Sequence, residues 1–185
     1  MAHLTKQVKT IDRQEVRNQI ETKLREKKVS LSSKERTAIE ELFFYAIENG
    51  LSIEESFEIP SQMLDDIYER GFLLYRSGKY DEASTCFLFI TLFDCNDVRS
   101  LFALAACCHK MGNYLAAISY YLSCIALEEG NPIACYHIYE CYLKINEPIM
   151  AQGALLLAFN RAGENPIYAK LKEKIGLELA AIARA

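Results

Sequence analysis

The chain contains an internal repeat of 34 residues, and this period constrains the fold more than any other feature of the sequence. Gly78, Gly112 and Asn146 lie 34 residues apart. Four further sets recur at the same spacing: Tyr80, Tyr114 and Pro148; Ala83, Ala117 and Ala151; Phe87, Tyr121 and Leu155; Asp97, Asn131 and Asn165. A unit of this length accommodates two helices joined by a turn, and each unit buries its apolar side against the next.

Each set has a physical role in such a unit. Gly78 and Gly112 fall where one helix ends and the chain reverses with positive φ, a conformation that Asn146 also tolerates. The alanines allow close approach of two helices, and the Phe87 set fills the space between adjacent units. The set that begins with Asp97 consists of good helix N-caps. The sequence therefore predicts an all-α superhelix of three helix pairs.

The repeats define the domain organisation. We expect a repeat domain over residues 61–185, in which a C-terminal capping helix at 166–183 covers the last apolar face. The three repeats within it span 64–97, 98–131 and 132–165.

The N-terminal third is predicted to have two parts. Residues 32–60 contain two capping boxes, Ser32 with Glu35 and Ser52 with Glu55, which predict two helices, the second stopped by Pro60. Residues 1–31 form a basic arm that we expect to be disordered or weakly helical, because its apolar residues are thinly spaced.

Charge and composition exclude several functions. Residues 1–36 carry ten Lys/Arg against five Asp/Glu, and the remaining residues carry eleven against twenty. Since acids interrupt the basic arm, we expect no nucleic-acid binding. No apolar run approaches the ~20 residues of a membrane span, and Met1–Lys6 lacks the start of a secretory signal, so we expect no membrane insertion and a cytoplasmic location.

Positions on the first helix of each repeat predict a concave binding groove. In the repeat frame, the second, fifth, ninth, twelfth and thirteenth positions face this groove. The fifth to thirteenth positions are Tyr68, Phe72, Tyr75 and Arg76 in the first repeat, Phe102, Ala106, His109 and Lys110 in the second, and Tyr136, Glu140, Leu143 and Lys144 in the third. The second positions, at the groove edge, are Asp65, Arg99 and Ile133.

These groove positions are apolar and aromatic at the centre and charged at the rim. A single helical aromatic more often packs in a core, but other residues of the same helices, such as Ile67, Leu104 and Ile138, already fill the inward stripe. Aromatic side chains give large contact area at small entropic cost. The pattern therefore favours a groove that binds an extended peptide.

Catalytic and metal chemistry find little support in the sequence. Cys107, Cys108 and His109 are adjacent on a helix and point about 100° apart, while Cys135 and Cys141 lie on nearly opposite faces. No CxxC spacing, glycine-rich phosphate loop or nucleophile motif occurs. We expect no enzyme activity, no cofactor and no metal, and we expect the seven cysteines to be reduced, mostly buried thiols.

The repeat sequences resemble a known family. Leu74–Ala83 has the pattern of a tetratricopeptide turn, and Phe102–Tyr114 resembles the second repeat of the class II type III secretion chaperones, the LcrH/SycD/IpgC translocator chaperones. The resemblance extends over about residues 34–182 and includes the N-terminal extension, the three repeats and the acidic body. Asn146-Glu147-Pro148 departs from the usual Gly and aromatic at the third turn.

This resemblance implies a bacterial cytoplasmic chaperone that holds a secreted translocator in its groove. It also implies a homodimer through the N-terminal helices, with Phe43, Phe44 and Ile47 as contact candidates. A secreted gatekeeper-type client is an alternative partner. The rival interpretation is a generic tetratricopeptide adaptor or scaffold for a partner's short linear motif, although Tyr68, Phe72 and Phe102 stand where a carboxylate clamp would need Lys and Asn.

Overall fold

The structure of the chain is a computed structural model that describes residues 12–26, 31, 33–48 and 61–184. The chain separates into two compact units, residues 1–58 and 59–185. The regular secondary structure of the described residues is helical throughout, as the repeat pattern predicts. None of their helices combines the length and the apolar character needed to span a bilayer.

The first unit contains helices α1 (Arg13–Glu26) and α2 (Ser33–Glu48). Arg17 Nε lies 2.8 Å from Glu40 Oε2, and Arg36 pairs with Glu21. As residue numbers rise along α1 the partners on α2 fall, so the two helices run antiparallel. Their apolar sides are buried, with side chains Val16, Ile20, Leu24, Ile39, Leu42, Phe43 and Phe44.

The second unit is a linear stack of helices. They are α3 (Ser61–Arg76), α4 (Tyr80–Phe93), α5 (Val98–Lys110), α6 (Tyr114–Leu127), α7 (Pro132–Lys144), α8 (Pro148–Ala162) and α9 (Ala169–Ile182). Each helix packs on the next one in sequence. Helices α3 and α4, α5 and α6, and α7 and α8 are therefore the three predicted pairs, and α9 covers the last of them.

The turn within each pair has the same geometry in all three repeats. Gly78, Gly112 and Asn146 have φ values of 80°, 79° and 60°. The next residue donates its backbone N–H to a carbonyl five residues earlier, and the N···O distances are 3.0, 2.9 and 2.9 Å. This bond satisfies a carbonyl that the helix end leaves open. The Asn146 turn thus matches the glycine turns despite its different sequence.

The predicted N-caps are confirmed. Asp97 Oδ1 accepts from Arg99 N at 3.2 Å, Asn131 Oδ1 from Ile133 N at 2.9 Å, and Asn165 Oδ1 from Ile167 N at 3.0 Å. The third cap opens a short 3₁₀ helix, Pro166–Tyr168, before α9 begins at Ala169. The predicted capping helix at 166–183 is therefore a 3₁₀ turn followed by an α-helix.

The core of the second unit lies between successive helices. Ala83, Ala117 and Ala151 are at most 1% exposed, as are Phe87, Tyr121 and Leu155. This burial confirms the roles that the 34-residue period assigns to both sets. The capping-box residues Ser32 and Ser52 and the predicted helix that ends at Pro60 lie outside the described residues.

Candidate peptide-binding face

Side chains from the first helix of each repeat meet on one side of the second unit. Arg99 of α5 reaches α3, where its Nη2 lies 3.2 Å from Asp65 Oδ1 and its guanidinium lies 5.2 Å from the centre of the Tyr68 ring. Towards the third repeat, the ring of His109 on α5 lies 6.0 Å from the ring of His137 on α7. We call this side of α3, α5 and α7 the A-helix face.

The first-repeat end of the A-helix face is aromatic and partly open. Phe72 is 48% exposed, whereas Tyr68 and Tyr75 are half-buried. The Tyr68 ring lies 5.4 Å from Phe87, and burial raises the pKa of the Tyr68 phenol, an effect that Arg99 opposes. The Tyr75 ring likewise lies 5.2 Å from Tyr80. The predicted groove aromatics of this repeat are thus accessible, and Tyr68 and Tyr75 are held by ring contacts.

The centre of the A-helix face is a cluster of rings shared by the second and third repeats. Phe102 contacts Tyr121 edge-on at 5.3 Å, and the His137 ring stacks on Tyr121 at 5.3 Å with an interplanar angle of 20°. His109 contacts Tyr114 at 5.8 Å. Phe102 and both histidines are half-buried, so their exposed edges form the surface while buried Tyr121 forms the floor.

A polar group accompanies these rings. His137 Nδ1 lies 2.8 Å from Glu140 Oε2, and this hydrogen bond lowers the pKa of the Glu140 carboxyl. Burial lowers the pKa of His109, which keeps its imidazole neutral to lower pH. Nitrogen atoms of the two histidines and an oxygen of Glu140 all lie within 4.8 Å of one another.

The third-repeat end differs from the predicted groove in one respect. Tyr136 is only 6% exposed, because it belongs to the hydrophobic cluster beneath α9, with Leu155 and Ile175. Its hydroxyl donates to Glu178 Oε1 at 2.9 Å, and Lys174 Nζ lies 4.6 Å from the ring centre. The capping helix therefore takes up most of the Tyr136 surface that the repeat frame assigns to a peptide.

Cations line one edge of the A-helix face. Arg76, Lys110 and Lys144 are exposed and are the last residues of α3, α5 and α7. A cation at a helix C-terminus is stabilised by the helix dipole, and the 34-residue period repeats this position in every unit. Leu143, beside Lys144, is 50% exposed, and Ala106 is half-buried near the middle of the face.

The three dimer candidates lie on α2. Phe43 and Phe44 are 2% and 1% exposed, and Ile47 is half-buried. The Arg13 guanidinium lies 4.5 Å from the centre of the Phe44 ring. Both phenylalanines are thus covered within a single chain.

Two residues of the A-helix face have roles that the repeat frame does not assign. His137 occupies the sixth position of its repeat, outside the predicted set, yet it contacts Phe102, His109 and Tyr121. Arg99, predicted at the edge, bridges the first two repeats. The repeat frame gives no signal for the contact with His109, because His109 occupies the twelfth position of its repeat and His137 the sixth.

Comparison with known proteins gives consistent relatives. Residues 100–129 match the tetratricopeptide repeat family model. The low calcium response locus protein H of Yersinia pseudotuberculosis is 31% identical over 136 residues, which cover 74% of this chain and 81% of that protein.

Solved structures agree with this relationship. The chaperone SycD of Yersinia enterocolitica, in complex with a peptide of the translocator YopD, superposes with a TM-score of 0.65 at 32% identity, over 68% of this chain and 96% of SycD. PcrH of Pseudomonas aeruginosa, bound to the chaperone binding region of PopD, gives a TM-score of 0.65 at 26% identity, over 68% of this chain and 95% of PcrH. With 31% identity to the low calcium response locus protein H over 81% of that protein, and with SycD and PcrH as structural neighbours, the chain belongs to the LcrH/SycD family of type III secretion chaperones.

Proposed function

We propose that this chain binds an extended segment of a secreted translocator on its A-helix face and keeps that client soluble until export. The observation that carries the proposal is the row of accessible aromatic and apolar side chains along the first helices of three successive repeats, with Phe72 at 48% and Leu143 at 50% exposure. The related chaperones SycD and PcrH bind translocator segments, which supports the same use of the fold here.

The physical basis of binding would be burial of apolar surface. Each aromatic or aliphatic side chain that an extended client covers contributes about 1–3 kcal/mol. Tyr68 and Phe102 are already held by ring contacts, so little side-chain entropy is lost when they bind. Arg76, Lys110 and Lys144 along one edge would orient a client through its acidic or backbone carbonyl groups.

Co-expression with the translocators of the parent organism tests this proposal. Phe72→Glu places a charge on the open part of the A-helix face, and we expect it to abolish recovery of soluble client. Leu115→Glu is the matched control, because Leu115 is 70% exposed on α6 and lies outside the predicted groove. Both variants should keep the helical circular dichroism signal of the wild type.

Client recovery with Phe72→Glu equal to that of the control would refute the groove assignment. Phe102→Glu provides a second measurement at the centre of the face. Its ring also packs on Tyr121, so its folded state must be verified by thermal unfolding before a loss of binding is interpreted.

A second candidate is an adaptor that binds a short linear motif of a folded partner. The observation in favour of this alternative is the exposed edge cations Arg76, Lys110 and Lys144, which would contact a carboxylate of such a motif. An adaptor would bind a synthetic C-terminal peptide of a soluble partner and would leave the solubility of co-expressed translocators unchanged. A gatekeeper-type client would instead be recovered soluble in the same co-expression assay.

We further propose a homodimer through the N-terminal segment 32–60; a dimer is known for the relative SycD. Since Phe43 and Phe44 are covered in the single chain, Ile47 offers the accessible side chain of the three candidates. Light scattering of Ile47→Glu against wild type would show a loss of dimer if the contact is correct. Action in the bacterial cytoplasm, without catalysis, completes the proposal.

A further inference from the structure

The half-buried trio of His109, His137 and Glu140 has the composition of a transition-metal site. His109 lies in the last turn of α5, while His137 and Glu140 are one turn apart on α7. One ligand atom from each lies within 4.8 Å of the other two. We propose that this trio binds a divalent transition-metal ion, Zn²⁺ in particular, and thereby cross-links the second and third repeats.

The ligand set and its spacing carry the proposal. Two imidazoles and a carboxylate are common Zn²⁺ ligands, with bonds of about 2.0–2.2 Å, so tetrahedral ligand atoms lie about 3.4 Å apart. His137 Nδ1 and Glu140 Oε2 are already 2.8 Å apart. Side-chain rotations that bring the ligand atoms from within 4.8 Å to about 3.4 Å of one another would place all three at bonding distance from one ion.

The surroundings restrain both imidazoles. His137 stacks on Tyr121, and Phe102 contacts it edge-on at 5.7 Å. His109 lies between Tyr114 and Tyr121, with ring centres 5.8 and 6.5 Å away. Ligands whose rings are fixed by packing lose little entropy when an ion binds, and the aromatic wall limits competing water.

The nearby charges indicate which kind of ion fits. The positive charges of Lys110 and Lys144 act on His109, and that of Lys174 acts on Glu140, so these lysines oppose the attraction that the Glu140 carboxylate exerts on a cation. Direct bonds to nitrogen must supply the affinity. Ca²⁺ and Mg²⁺ prefer six or more oxygen ligands, which these residues do not provide, whereas imidazole suits Zn²⁺, Ni²⁺ and Cu²⁺.

A simple His–Glu helix pair is the alternative explanation of these contacts. Such a pair at three-residue spacing needs only His137 and Glu140. It requires neither a second imidazole from the neighbouring repeat nor a ring of aromatics around it. The participation of His109 across the repeat boundary therefore distinguishes the proposed site from a local pair, and the proposal does not depend on client binding.

The test is titration of the purified, metal-free chain with Co²⁺ and Zn²⁺. We expect one Co²⁺ per chain, with visible d–d absorption and no thiolate charge-transfer band. His109→Phe and His137→Phe keep a ring in place and remove the ligand nitrogen. Loss of a hydrogen-bond partner of a metal ligand weakens metal affinity by about 10–100-fold. Because each variant removes a ligand itself, we expect it to weaken binding by about 100-fold or more.

His3→Ala and Cys95→Ser are the controls, since His3 is the remaining histidine and Cys95 is the exposed cysteine. Both should bind Co²⁺ as the wild type does. Wild-type protein should also show a higher thermal midpoint with Zn²⁺, and both phenylalanine variants should lose this shift. Absence of stoichiometric binding to wild type, binding unchanged in His109→Phe, or a thiolate band would each overturn the proposal.

Discussion

At the scale of single residues, Gly71 shows how closely the helices of a repeat approach. A Cβ added at Gly71 would lie 2.9 Å from Phe87 Cε1 and 3.0 Å from Cys86 Cβ. Phe87 is 1% exposed and packs on Tyr68, so its ring has no space into which to move. The close packing of α3 on α4 in the first repeat thus depends on the absence of a side chain at Gly71.

We predict that Gly71→Ala destabilises the chain by about 1–3 kcal/mol, the range for inserting a methyl group into a packed core. Gly153→Ala is the matched control, because Gly153 also lies within a helix, and a Cβ there meets nothing within 4 Å. The control should instead stabilise by about 0.5–1 kcal/mol through helix propensity. Urea unfolding of the three proteins measures both values; equal signs for the two variants would contradict the prediction.

Burial also determines the chemistry of the thiols. Six of the seven cysteines are buried and Cys95 is exposed. Burial raises the pKa of the Cys107 and Cys141 thiols to about 12 and that of Cys124 to about 11. Such thiols stay protonated near neutral pH and are poor nucleophiles, which agrees with their role as small apolar core residues.

At the scale of helices, the second and third repeats start with the same cap geometry but differ in what the cap supports. Asp97 Oδ2 also accepts from Ser100 Oγ at 2.7 Å, and Ser100 is fully buried. Asn131 caps α7 without such a buried partner. The Asp97 side chain therefore caps α5 and also accepts from the buried Ser100 hydroxyl, and loss of Asp97 leaves this hydroxyl without its acceptor.

We predict that Asp97→Ala costs about 2–4 kcal/mol, of which about 1 comes from the cap and about 1–3 from the unpaired hydroxyl. Asn131→Ala should cost about 1 kcal/mol. Adding Ser100→Ala to Asp97→Ala should recover part of the loss, because the buried donor is removed. A double-mutant cycle by chemical denaturation measures this coupling, and additive losses would show that Ser100 finds another acceptor.

At the largest scale, the second unit behaves as a series of contacts between neighbours, because each of its helices packs on the next. The last repeat depends on α9, whose fully buried Ile175 contacts the cluster of Cys135, Tyr136 and Leu155. In a linear stack a local defect is felt mainly by adjacent repeats. A defect in α9 should therefore affect the third repeat more than the first.

We predict that Ile175→Ala costs about 2–5 kcal/mol, the range for truncating a buried aliphatic side chain. Hydrogen exchange should accelerate in α7, α8 and α9 and stay close to wild type in α3 and α4. Leu177→Ala, at a site 67% exposed on the same helix, should change stability by less than about 0.5 kcal/mol. Uniform acceleration along the whole stack would refute the local response.

The 34-residue period was sufficient to predict the helix pairs, the caps and the inter-repeat core. Helix pairs and caps depend on residues near one another in sequence, and the inter-repeat core depends on residues at equivalent positions of neighbouring repeats. Asn146 shows how far this extends, since its turn matches those of Gly78 and Gly112. The period also predicts that Tyr68, Phe72 and Phe102 share one side of the first helices.

Contacts between non-equivalent positions required the tertiary structure. The burial of Tyr136 depends on how α9 crosses the third repeat, and no spacing within the repeat encodes that crossing. The meeting of His109 with His137 and Glu140 depends on the rotation between neighbouring first helices. Local sequence determined which helices form and where they end, whereas the packing angles between them decided which side chains the A-helix face brings together.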